Sequence, residues 1–300
     1  MTHAEVLAAR ERVREHVLLT PVLEVRPGLH LKLEQLQRAG SFKVRGAFNR
    51  ILSAEVPPAG VIAASGGNHG LAVAYAARAL GLRAEIFVPT VTGPVKVDGL
   101  RALGVAVTQT GAFYAEAAEA AAKRAAETGA LPVHAYDQAE VVAGQGTLGL
   151  ELLEQTGGAD TILVAVGGGG LIAGITLAVA PGTRVVAVEP ERCPTLRRAL
   201  ETGGPADVEV GGVAADALGA SRLGAIGYEI VAAAGTTSLL VTDDDIVAAR
   251  RTLWAEHRVA AEHAGATAYA ALLSGVYRPE PGERVAVIVC GGNTDPADLG

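Results

Sequence analysis

The chain has 300 residues, half of them hydrophobic, 19% charged and only 4% aromatic, with a formal net charge of −7. This length and balance fit one large domain or two lobes with well-buried cores, and they exclude a disordered chain. The acidic charge and the lack of any basic run argue against a nucleic-acid surface, while a local pocket for an anion stays open.

Residues 3–17 carry an amphipathic helical pattern that stops before Pro21, and LHLKLE (29–34) alternates like a strand. A helix is predicted from Lys43 to Ser53. A repeating order then sets in: short apolar strand, glycine-rich turn, helix. GVIAAS leads through GGNHG into LAVAYAARALG, RAEIFVP precedes a helix near 93–103, and GVAVTQT precedes an alanine-rich helix near 113–128. TILVAV runs through GGGG into LIAGITLAVA (171–180), and RVVAVEP follows. TDDDIVAARRTLWAEH (242–257) reads as a helix whose acidic start suits its dipole, and RVAVIVCGGN closes the series. Strands that are apolar on both faces and alternate with helices predict an α/β fold with mainly parallel sheets. The units fall into two groups, which predicts two open lobes with a cleft between them: residues 1–59 and 136–300 in the larger, 60–135 in the smaller.

Cys193 and Cys290 are the only cysteines. They form no C-x-x-C pair and no disulfide framework, which fits a reducing cytoplasm. No segment reads as a signal peptide or a membrane span, so a cytoplasmic protein without a membrane partner is expected.

Three loops and one lysine carry the chemistry. In ASGGNHGLAVA (64–74), glycines between a strand and a helix let the backbone approach a ligand, and Ser65, Asn68 and His69 add polar groups. The free N–H groups at a helix start favour an anion there, although a tight turn capped by Asn68 explains the same residues. In VAVGGGGLIAG (164–174), four consecutive glycines need a reason, and close approach to a phosphate is the usual one. The spacing does not fit a dinucleotide fingerprint cleanly, and no Gly-Lys-Ser/Thr ending is present. In VIVCGGNTD (287–295), an apolar strand ends in Cys290, either a buried small hydrophobe or a thiol facing a ligand. Lys43, in GSFKVRGAFNR, is either a surface charge at a helix start or an amine that bonds covalently. A lysine, a phosphate loop and a group for a ring nitrogen together describe pyridoxal phosphate.

SFKVRGA, SGGNHG, VGGGGLIAG and CGGN, in that order, resemble the motifs of the pyridoxal-phosphate enzymes of the tryptophan synthase β-like fold (fold type II). Within it they are similar to the serine/threonine dehydratase and serine racemase branch, over about residues 20–295. The resemblance implies that Lys43 holds the cofactor through a covalent imine link and that Phe42 lies against it. It implies that Asn68 hydrogen-bonds the ring's phenolic oxygen. Gly167, Gly168, Gly169 and Gly170 with Leu171 would cradle the phosphate, and Cys290 would face the pyridine nitrogen. Ser65, Gly66, Asn68 and His69 would line the site of the substrate carboxylate. Lys43, once freed, would take the α-proton of an amino-acid substrate.

The resemblance implies an ammonia-lyase that converts L-threonine or L-serine to a 2-keto acid and ammonia. His69, where the cysteine-synthase branch has threonine, disfavours a replacement lyase. Gly66, where racemases of this branch place a second serine, disfavours serine racemase; 3-hydroxyaspartate dehydratase remains an alternative. Some relatives bind a divalent metal near a VEP segment. Here Glu189 is present but Thr195 replaces the second carboxylate, so no metal is expected. Glu262 and His263 are read as a solvated helix face rather than a cation site. A homodimer is expected, and the short stretch after CGGN predicts no regulatory domain and no isoleucine-type feedback site. Two other classes stay open: a nucleotide-binding oxidoreductase without pyridoxal phosphate, and a catalytically silent ligand-binding member.

Overall fold

The computed structural model describes residues 1–179 and 181–299. Ala180, the last residue of the helix predicted over 171–180, lies outside the described residues. The chain opens with α1 (His3–Val13), the strands β1 (Val22–Arg26) and β2 (Leu29–Leu33), and α2 (Lys43–Leu52). An alternating segment follows: β3 (Val61–Ala64), α3 (Asn68–Ala79), β4 (Ala84–Val88), α4 (Pro94–Ala102), β5 (Ala106–Gln109), α5 (Tyr114–Thr128) and β6 (Leu131–Pro132). The remainder runs through α6 (Ala139–Thr156), β7 (Thr161–Ala165), α7 (Gly170–Ala178), β8 (Arg184–Pro190), α8 (Thr195–Thr202), α9 (Ala215–Leu218) and α10 (Ala225–Ala233). It ends with β9 (Ser238–Val241), α11 (Asp243–His257), α12 (His263–Leu273) and β10 (Val285–Val289).

Two sheets form. The larger has the order β1-β2-β10-β7-β8-β9 and is parallel except for β1, an antiparallel edge strand; the smaller, β5-β4-β3-β6, is parallel throughout. Every residue of TILVA in β7 and VAVIV in β10 is buried. That is what central parallel strands covered by helices on both faces require. The α/β fold of two mainly parallel sheets predicted from the alternation is therefore present. Residues 43–52, counted with the larger part above, contribute Val44, Ala47, Phe48 and Ile51 to the same buried cluster as Val61, Ala63, Ile86 and Val88 of the smaller sheet.

Two elements differ from expectation. Helix α1 ends at Val13 rather than near residue 17: residues 14–17 form turns in which His16 and Val17 N–H both donate to the Val13 carbonyl, and Leu18 then pairs with the Gln37 side chain, its N–H donating to Oε1 and its carbonyl accepting from Nε2, both at 2.8 Å. The 18-residue α6 was not predicted at all. Its interior glycines blur the helical pattern and cost helix propensity. Packing explains them. A Cβ on Gly144 would lie 2.6 Å from the Cα of Gly46 in α2, and one on Gly146 would lie 2.6 Å from the carbonyl of Gly174 in α7. The glycines let α2 and α7 approach α6 at backbone distance, and α2 carries Lys43.

Candidate active site

Three strand C-termini of the two sheets open toward one cleft. β3 delivers Ser65, β7 delivers the glycine loop, and β10 delivers Cys290, in the position where open α/β sheets bind ligands. Lys43 is the first residue of α2, and its Nζ donates to the Ala135 carbonyl at 2.8 Å across the cleft. Burial lowers the amine's pKa from 10.5 to about 8, against the opposing pull of Cys290 and Glu262. The surface-charge reading of Lys43 is thus excluded.

The inner recess is lined by Phe42, Lys43, Asn68, Gly167, Gly168, Gly169, Gly170, Leu171 and Cys290, so all nine residues expected around a cofactor meet there. The first bond within α7 runs from Ala173 N–H to Gly169 C=O. The preceding N–H groups therefore lack intrahelical partners, and the helix end is suited to an anion. Gly169 has φ +89°, the left-handed region, and a Cβ on Gly168 would collide with the ring of Tyr136. Cys290 is 3% exposed, and burial pushes its thiol far above the ordinary value, so it stays an S–H.

The cleft widens outward into a cavity of about 540 Å³ that includes Lys43, Ser65, Asn68 and His69. Gly66 does not line it; a Cβ there would point at Thr92 Cγ2, 2.9 Å away. His69 is buried, with Nε2 2.9 Å from the Val133 carbonyl, so Nε2 carries the proton and Nδ1 is bare. Burial and the nearby Lys43 charge bring its pKa down to about 3, which keeps the ring neutral. Helix α3 begins at Asn68, earlier than the sequence pattern suggests, and its first bond joins Leu71 N–H to Gly67 C=O. A second helix N-terminus thus faces the same cleft.

Two features escaped the sequence reading. Glu262 is not on a solvated helix face: it is 8% exposed and lines the inner recess. Asn68 Nδ2 donates to Glu262 Oε1 at 2.6 Å, while Asn68 Oδ1 accepts from Asn293 Nδ2 at 2.8 Å. These bonds fix which way the Asn68 amide points. Burial raises the Glu262 pKa to about 7, with the Asn68 hydrogen bond opposing. Glu262→Ala is expected to leave the Asn68 amide unpaired and to weaken cofactor binding by about 5- to 100-fold, the equivalent of about 1–3 kcal/mol. Glu262→Gln, which keeps an acceptor, should stay near wild type. Equilibrium titration with pyridoxal phosphate measures both, and equal affinity of the alanine variant and wild type would remove Glu262 from this role. The second feature is the segment 134–137. His134 Nδ1 accepts from the N–H groups of Tyr136 at 3.2 Å and Asp137 at 2.9 Å. This turn aims the Ala135 carbonyl at Lys43, and no pattern in the sequence marks it.

Glu189 is fully buried, and both its oxygens are used within the protein. It accepts from Leu196 N–H at 2.7 Å, Arg197 N–H at 2.9 Å, Ser238 Oγ at 2.5 Å and Thr195 Oγ1 at 3.4 Å. It caps α8. Asp216 pairs with Lys96 of α4 across the cavity mouth. Among the described residues, no group of three or more His, Cys, Asp or Glu side chains is placed to hold a metal ion.

Comparison with known proteins decides the family. The model of the pyridoxal-phosphate dependent enzyme family matches residues 13–291. The chain belongs to this family. This pyridoxal-phosphate enzyme is 38% identical to the phenylserine dehydratase of Ralstonia pickettii, over 97% of this chain and 93% of that one. It is 38% identical to the L-threonine ammonia-lyase of Thermotoga maritima, over 89% of this chain and 67% of that one. The solved structure of maize serine racemase superposes with a TM-score of 0.94 at 32% identity, covering 99% of this chain and 95% of that one. Fold and branch are therefore those of the tryptophan synthase β-like serine/threonine dehydratases and serine racemases. The enzyme depends on pyridoxal phosphate, and the donor set fits that group: an amine near neutrality, a fixed amide, a glycine-lined helix N-terminus and a neutral thiol on one recess. No helix among the described residues is long and apolar enough to cross a membrane.

Proposed function

We propose that the protein is an ammonia-lyase acting on β-hydroxy-α-amino acids, with L-threonine and L-serine as substrates, releasing 2-oxobutanoate or pyruvate and ammonia. The observation that carries this reading is the placement of the Lys43 amine, with its pKa near 8, in a recess shared with Asn68, the tetraglycine loop and Cys290. Pyridoxal phosphate, bound there, supplies the electron sink that makes an α-proton removable. Lys43 anchors it, with Phe42 alongside. The N–H groups of Gly167, Gly168, Gly169, Gly170 and Leu171 would hold the phosphate, and Asn68 would hydrogen-bond the phenolic oxygen. The Cys290 thiol, kept as S–H by burial, would serve the ring nitrogen as a weak partner and would not protonate it.

The neutral Lys43 amine takes the α-proton, and the Ala135 carbonyl holds the resulting ammonium. The substrate carboxylate binds the N-terminus of α3, where the free N–H groups of Asn68 and His69, the Ser65 hydroxyl and the dipole favour an anion. His69, neutral, contributes no charge there. Besides Lys43, the titratable side chains on the outer cavity are the neutral His69, Tyr114, the neutral Tyr136 and Asp216, and Gly66 adds none, which supports elimination over racemisation. A cytoplasmic homodimer is part of the same reading, supported by two buried free thiols and by exposed apolar residues Leu18, Leu19 and Leu36, and the irreversible release of ammonia fits a catabolic role. The test is release of 2-keto acid and ammonia from L-threonine and L-serine by protein loaded with the cofactor. Isomerisation of serine without keto acid would refute the lyase reading.

A further inference from the structure

Aromatic residues are scarce in this chain, at 4%, yet Phe113, Tyr114 and Tyr136 meet on the outer cavity beside Lys43. Phe113 is the N-cap of α5, in extended backbone two residues after Gly111 (φ +71°), and it is 72% exposed; Tyr114 is 47% exposed. At the mouth, Phe113 therefore leaves most of its surface unpartnered and Tyr114 nearly half. The Tyr136 ring is held against Gly168, and burial raises its pKa to about 12, so it presents a neutral face. Val210, Ala217 and Ala220 close the opposite wall.

The charged side chains on this cavity are Lys43 and Asp216, and no arginine lines it. A substrate carrying a second carboxylate on Cβ would find no free cation among these residues, since Lys43 serves the cofactor and Lys96 is taken up by Asp216, which argues against 3-hydroxyaspartate. Serine would leave most of the roughly 540 Å³ filled with water. An aryl group would instead cover the exposed rings, where apolar area leaves water and offset or edge contacts add to the gain.

We propose that the site selects β-hydroxy-α-amino acids whose Cβ carries an aryl or comparably large apolar group. This rests on the dehydratase reading and names its substrate class. For 3-phenylserine the reaction balances: the Cα–H and Cβ–O bonds break, a Cα–Cβ double bond forms and water leaves. Tautomerisation and addition of water then release ammonia and phenylpyruvate, with no net oxidation.

Two readouts test it. In the first, kcat/KM for phenylserine is compared with that for threonine and serine; a tenfold or greater preference over serine is expected. In the second, the non-eliminating ligands L-phenylalanine and L-alanine are titrated into the holoenzyme by calorimetry, with phenylalanine expected to bind at least tenfold tighter. Phe113→Ser should lower both ratios threefold or more. Turnover of serine or threonine without a preference for phenylserine overturns the substrate class and leaves the lyase reading standing. If no substrate yields keto acid, the lyase reading falls and the phenylalanine-to-alanine ratio alone decides: tenfold supports the aryl pocket, and a ratio near one overturns it.

Discussion

Lys43→Ala is expected to abolish the imine absorbance band of cofactor-loaded protein, leaving at most the shorter-wavelength band of the free aldehyde, and to lower keto-acid release by about 100- to 10,000-fold, the range set by loss of a positioned base. The imine band requires the covalent link, and among the described residues Lys43 is the only lysine on the recess. Protonation sets the pH dependence of loading. The ammonium cannot attack an aldehyde, and burial lowers its pKa to about 8, so the reactive neutral fraction grows as pH rises through 8 and levels off above it. The rate at which apo-protein captures pyridoxal phosphate, followed between about pH 6.5 and 9.5, should trace that curve. An imine band that survives Lys43→Ala would place the link elsewhere. No chromophore in wild type under saturating cofactor would favour a nucleotide-binding site, and a chromophore without keto acid from any hydroxy amino acid would favour a silent ligand-binding member.

Arg45→Met should destabilise the fold by about 3–5 kcal/mol, the cost of leaving buried charges without their partner. Arg45 is 1% exposed and lies two residues after Lys43, about half a turn of helix along α2. It donates to both oxygens of the fully buried Glu34 at 2.8 and 2.7 Å and to Glu151 Oε2 at 3.0 Å. Glu151 in turn pairs with the buried Lys32, whose amine also donates to the Thr20 carbonyl and Gln155 Oε1, each at 2.7 Å. Every ion in this cluster has a partner, and the cluster ties α2 to β2 and α6 beneath the site. Burial disfavours the Glu34 charge, yet Arg45 outweighs it and holds the carboxyl below its ordinary 4.5. Its contribution to stability is therefore complete above about pH 4.5 and is lost as the pH falls through the depressed native value. Arg45→Met should move that acid loss to higher pH. Urea unfolding at neutral pH and across the acid range measures both effects. A change under about 1 kcal/mol would show that the cluster relaxes without Arg45. Replacing the pair together, Arg45→Met with Glu34→Leu, should recover much of the loss, since no unpaired ion then remains between them.

The sequence by itself determined the fold class and the family, and it singled out nine of the residues that line the inner recess. β7 and β10 are unbroken apolar runs whose only stable home is a covered parallel sheet, and the tetraglycine loop and Lys43 sit at the ends of such elements. These are local signals, readable within a few residues. Tertiary structure alone decided the rest. Helix α6 looked poor because its glycines serve contacts with Gly46 and Gly174, far away in the chain. Glu262 looked like a solvated residue until the fold brought Asn68, almost two hundred positions earlier, within hydrogen-bond reach of it. The Ala135 carbonyl, the neutral state of His69, the internal use of Glu189 and the aromatic mouth likewise depend on which segments meet. Burial and long-range pairing set protonation, amide orientation and cavity shape, and none of these is a property of a residue's neighbours in sequence.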